Sequence, residues 1–114
     1  MEEKMKVLVK EPGKPAEVRE IENTLEACQK IVGGWIEVVR ITEDVAIVVN
    51  EEGKINGMKP NFICCGDLIC GPAFFCGVTL GDDGEEFRGL DDDEIHAVEF
   101  LLPYLKGEKP WKNY

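Results

Sequence analysis

Asn50-Glu51-Glu52-Gly53-Lys54 stands directly behind two strand-like runs, Trp35 to Ile41 and Val45 to Val49, and its reading decides the fold. Asn, Gly and Lys are turn formers, and Gly53 is expected to supply the positive φ that a tight reversal needs. Upstream, Trp35 to Ile41 alternates: Ile36, Val38 and Arg40 fall on one face, Trp35, Glu37, Val39 and Ile41 on the other. A period of two is that of a half-buried strand. Thr42-Glu43-Asp44 makes a short turn, and the uniformly apolar Val45 to Val49 suits the centre of a sheet.

Further out the pattern continues. Lys6 to Lys10 reads as a short strand, stopped by Glu11-Pro12-Gly13-Lys14-Pro15, and Ala16 to Ile21 pairs back on it as a hairpin. Asn23 offers an N-cap with Glu26 completing a capping box. Leu25, Cys28, Ile31 and Val32 then form one apolar helical stripe, ended by Gly33-Gly34. After the central reversal, Gly57, Pro60 and Asn61 mark an irregular segment, and Leu68 to Leu80 resumes as strand with a bulge or edge position at Gly71-Pro72. Asp91 caps a second helix, Glu94 takes the capping-box position, and Ile95, Val98, Leu102 and Leu105 recur at core spacing, with Pro103 expected to kink or shorten the helix. The expected fold is α+β: an antiparallel four- to five-stranded sheet, one helix packed on a face, and a C-terminal helix. Residues 1–106 form the single domain and 107–114, with Trp111, a tail.

Composition narrows the function. With 114 residues the chain is one domain that buries about two-thirds of its unfolded surface. No apolar run approaches the roughly 20 residues of a membrane span. Met1-Glu2-Glu3-Lys4 leads straight into a strand, so no signal peptide is expected and residence is cytoplasmic. A net charge of −10 argues against direct nucleic-acid binding, which requires Lys and Arg to neutralise phosphates. The charge concentrates in Gly81 to Glu94, where Asp82, Asp83, Glu85, Glu86, Asp91, Asp92, Asp93 and Glu94 face a single Arg88. An acidic surface of this kind keeps a small protein soluble, or meets a basic partner.

No constellation for catalysis emerges. Cys64, Cys65, Cys70 and Cys76 cluster, yet without the Cys-x2–4-Cys knuckle of structural zinc sites. On one extended strand Cys70 and Cys76 lie about 20 Å apart. Buried, reduced thiols are the simpler reading, and no metal or cofactor is expected. His96, the only histidine, lies off the core stripe of its helix and has no third group to orient it as a base. A calcium loop starting at Asp82 places Phe87 where glycine is needed. Asn50, Lys54 and Asn61 are candidates to line a small polar ligand pocket, although turn chemistry explains the same residues.

Several long blocks in fixed order carry a resemblance. They are Lys6-Val7-Leu8-Val9 with Glu11-Pro12-Gly13, Ile21-Glu22-Asn23-Thr24-Leu25, Ile31-Val32-Gly33-Gly34-Trp35-Ile36-Glu37, and Asn50 to Lys54. Asn61, Gly66-Asp67 and Asp83-Gly84-Glu85-Glu86-Phe87 complete it. Over nearly its whole length the chain resembles a family of small uncharacterised domains carried by phages, plasmids and integrative elements of Firmicutes. The resemblance implies a mobile-element accessory protein, of a kind often found near anti-restriction genes, and brings no catalytic residues. The cysteine cluster is not part of it. The leading expectation is therefore a non-enzymatic binder of a host protein, in the manner of a DNA mimic, through Asp82, Asp83, Glu85, Glu86, Asp91, Asp92 and Asp93. The alternative is a small-molecule or nucleotide-sequestering protein using Asn50, Lys54 and Asn61, with an enzyme ranked last. Val- and Ile-bearing strand edges also allow a homodimer across a two-fold axis.

Overall fold

The computed structural model describes residues 3–106; the 107–114 tail, with Trp111, lies outside the described residues. The elements run β1 (Lys4–Lys10), β2 (Glu17–Glu22), α1 (Leu25–Val32), β3 (Ile36–Arg40), β4 (Val45–Asn50), β5 (Pro60–Cys64), β6 (Asp67–Cys70), β7 (Ala73–Gly81), β8 (Gly84–Arg88) and α2 (Asp92–Leu101), closing on a 3-10 turn at Pro103–Lys106. The fold is α+β as expected, with a larger sheet: six antiparallel strands ordered β2-β1-β7-β4-β3, with β8 on the outer half of β7, plus a separate β5-β6 hairpin.

The centre of the main sheet, formed by β1, β7 and β4, is buried on both faces. Val45, Ile47 and Val49 of β4, with Leu8 and Phe75, join the side bearing α2 and the β5-β6 hairpin. Val48, Val7, Val9, Phe74 and Cys76 face the side where Cys28 and Val32 of α1 pack. Strict alternation between two cores explains why β4 reads as a continuous apolar run. On the α2 side the rings of Phe62 and Phe75 stack with centroids 5.7 Å apart.

Local chemistry fixes the ends of the helices. Asp91 accepts from the Glu94 N–H and Glu94 accepts from the Asp91 N–H, the reciprocal capping box expected. α1 departs by one residue: Thr24, not Asn23, is its cap, with Oγ1 accepting from the Ala27 N–H at 3.1 Å. Asn23 instead donates to the Phe87 carbonyl and ties the helix entrance to β8. α2 stops at Leu101 because Pro103 has no N–H to continue it.

Three further expectations are corrected. Gly53 does not have positive φ; glycine is required there because a Cβ would collide with the Cys70 carbonyl oxygen. Leu68 to Leu80 is not one bulged strand: Gly71, at φ 88, breaks it into β6 and β7, which belong to different sheets. The extended-strand spacing assumed for Cys70 and Cys76 therefore does not exist. The segment read as irregular around Pro60 is a strand, its proline tolerated at the first position.

Candidate functional site

β7 and β8 form a hairpin that outgrows the sheet. β1 pairs with β7 only at Ala73 to Phe75, and β4 only at Phe74 to Gly77. From Thr79 to Gly81, β7 is paired with β8 alone, through Thr79↔Glu86, Leu80↔Glu85 and Gly81↔Gly84, leaving Asp82-Asp83 as a two-residue tip. Gly84 supplies φ 112 for the return. Asp82, Asp83, Glu85 and Glu86 are exposed, and Leu80 is 82% exposed among them.

Internal cations meet only part of this charge. Arg40 pairs with Glu85, Arg88 holds Glu94 through two bonds of 2.8 Å, and Lys6 reaches Asp92 at 3.2 Å. The Arg88 guanidinium keeps the Glu94 carboxyl below its usual range. Among the described residues Asp82, Asp83, Glu86 and Asp93 have no ion-pair partner, while Asp91 is occupied as a helix cap. By the register, Leu80 shares the α1-side face of the ribbon with its partner Glu85, while Glu86 lies on the opposite face with Arg88, which holds Glu94 of α2.

Asn50 and Lys54 border a common cleft of about 230 Å³ with Glu37, Glu52 and Asp67; Asn61 is not among its walls. Asn50 and Lys54 are engaged internally. Asn50 donates to the Val32 carbonyl and accepts from the Glu52 N–H, fixing the turn after β4. Lys54 pairs with Asp67, which raises its pKa. Asn61, buried elsewhere, donates to the carbonyls of Lys10 and Gly71 at 2.7 and 2.8 Å. Its Oδ1 accepts from Lys10 Nζ at 3.1 Å.

Lys10 was not singled out by the sequence. Its side chain is 1% exposed, bonded to Asn61 and to the Glu11 carbonyl, and burial lowers its pKa. The only advance signal is a lysine closing an apolar strand immediately before a Pro-Gly turn. The cysteines divide by position: Cys28, Cys64 and Cys76 are buried, Cys70 is half-buried, Cys65 is exposed, and all five are free thiols. Burial pushes the Cys76 thiol up to about 12. His96 is exposed on α2. No group of three or more His, Cys, Asp or Glu arranged to hold a metal occurs among the described residues. No helix there is long and apolar enough to cross a membrane.

Comparison with known proteins gives one assignment. No curated protein and no solved structure matches the chain. A family pattern matches residues 5–102, spanning both cores, the β5-β6 hairpin, the acidic ribbon and α2 through its C-cap, so the chain belongs to the family described as Domain of unknown function (DUF3846).

Proposed function

We propose that this domain is a non-enzymatic binding module that engages a basic surface of a partner protein through the β7-β8 ribbon and the N-terminal turn of α2. The observation that carries the reading is a ribbon whose outer end is paired only with itself, carrying the exposed Leu80 beside Glu85 on one face, Glu86 on the other and Asp82-Asp83 at the tip. A two-stranded ribbon is marginally stable alone, and an exposed large apolar side chain rimmed by charge has the layout of an interface anchor with a polar rim. The carboxylates steer the encounter and Leu80 supplies the desolvated contact. In its specific form the reading is of a mobile-element accessory protein acting in the cytoplasm on a host DNA-handling protein, whose DNA-binding groove the carboxylates occupy.

The test replaces Asp82, Asp83 and Glu86 by their amides, leaving the Arg40–Glu85 pair intact. Immobilised wild type is expected to retain a host protein that elutes with added salt and with competing duplex DNA. The triple variant, with an unchanged melting temperature, loses it. Equal retention by both proteins overturns the acidic-ribbon reading; elution by salt but not by DNA removes the DNA-mimic form.

A further inference from the structure

Cys64 ends β5 and Cys65 opens the two-residue turn into β6. Cys65 and Gly66 both take left-handed φ, 54 and 80, the conformation of a tight hairpin turn matched to the twist of its strands. The sulfurs of these neighbouring residues stand 3.6 Å apart, both free, with Cys64 buried and Cys65 exposed. They border a cavity of about 170 Å³ whose other walls include Ile41, Val45, Val98 and Leu102. An apolar cavity of about 150 Å³ accepts benzene, so a phenyl-sized group fits.

The sulfur spacing selects the ligand chemistry. With bonds of about 2.3 Å to a shared centre, 3.6 Å corresponds to a sulfur–centre–sulfur angle of about 100°. A linear two-coordinate ion needs sulfurs about 4.6 Å apart at that bond length, and zinc needs two more protein ligands to close a tetrahedron. No such cluster is present among the described residues. A pyramidal centre with two sulfurs and one carbon substituent satisfies both the angle and the ligand count.

We propose that Cys64 and Cys65 form a dithiol site for a trivalent organoarsenical, both sulfurs bound to arsenic and the apolar substituent seated in the cavity. The step is balanced: two arsenic–oxygen bonds of the hydrated arsenical are replaced by two arsenic–sulfur bonds. The two thiol protons leave with the two hydroxides as water, and no oxidation state changes. The exposed Cys65 reacts first and Cys64 closes the ring. Burial, with the neighbouring Cys65, pushes the Cys64 thiol up to about 12, so it enters only as the second, intramolecular partner.

The probe is phenylarsine oxide added to the intact, reduced protein. Mass spectrometry is expected to show one phenylarsenic adduct per chain, with two thiols lost to titration. 2,3-Dimercaptopropanol should remove it and excess glutathione should not. Cys65→Gly keeps the left-handed turn and is expected to weaken binding by about a hundredfold, the effective-concentration advantage of a second tethered thiol. Cys65→Ser gives the same loss should glycine loosen the hairpin, and Cys70→Ser leaves binding unchanged. Inorganic arsenite, lacking the ring, is expected to bind about tenfold more weakly. Wild-type affinity in both Cys65 variants, or release by glutathione, overturns the dithiol site; arsenite binding as tightly as phenylarsine oxide overturns the role of the cavity.

Discussion

Replacing Asn61 by alanine tests the buried polar junction directly. The substitution removes three hydrogen bonds, to the carbonyls of Lys10 and Gly71 and from the Lys10 ammonium. Asn61 is 1% exposed and Lys10 likewise, so water does not simply replace the lost partner. A buried group left unsatisfied costs about 1–3 kcal/mol, more when charged, and Lys10 retains only the Glu11 carbonyl. The expected loss is therefore about 3–6 kcal/mol, against a typical total stability of about 5–15 kcal/mol. Urea unfolding followed by circular dichroism reads it as a lower midpoint with an unchanged slope. Lys10→Met is the companion: it strands only the Asn61 Oδ1 and should cost less than Asn61→Ala. A double-mutant cycle should then show positive coupling between the two sites. An Asn61→Ala loss below about 1 kcal/mol would refute the reasoning, since it would mean that the ammonium and both carbonyls find other partners.

The remaining predictions concern pH and packing. The Cys76 thiol, held at about 12 by burial, has a folded pKa above its unfolded value, so its contribution is whole below that value and is lost as pH rises toward 12. Thermal melts between pH 8 and about 10.5 should decline more steeply for wild type than for Cys76→Ala. Glu94 is the opposite case: Arg88 depresses its pKa, so its contribution is present above the usual carboxylate value and lost as pH falls through the depressed one. Glu94→Gln should flatten the acid limb of stability and cost about 1 kcal/mol at neutral pH, through the ion pair and the capping box together. Gly53→Ala must displace the Cys70 carbonyl, and a drop of about 1–3 kcal/mol in chemical unfolding is expected.

Where side chains repeat with a period, the fold was legible. The alternation of Trp35 to Ile41, the apolar Val45 to Val49 and the Asp91–Glu94 box each carry their structural meaning within a few residues. β8 was hidden because Glu85 and Glu86 are poor strand formers in isolation; their partners, Thr79 and Leu80, define the strand. β5 was masked by Pro60 and Asn61, whose roles depend on a hairpin partner and on a lysine 51 positions away. The acidic stretch was visible as composition, but its projection as a ribbon depends on where β1 and β4 stop pairing. Asn50 and Lys54, near in sequence, border one cleft, whereas Asn61 is held elsewhere by Lys10. Short polar side chains have no period, so their partners are set by tertiary structure.

The place of β7 in the sheet has a consequence during synthesis. β1-β2 and β3-β4 are local hairpins that are complete once Asn50 has emerged, yet the strand that joins them runs from Ala73 to Gly81. At about 5–20 residues per second, the stretch from Asn50 to Gly81 takes roughly 2–6 s to make. For that interval Val45 to Val49 has an open edge on the side β7 will fill, flanked by a nascent chain with nothing yet to cover it. Chains released before Ala73 keep that edge permanently. The order of synthesis, rather than the finished structure, sets the period in which this domain is most exposed to aggregation and to proteases.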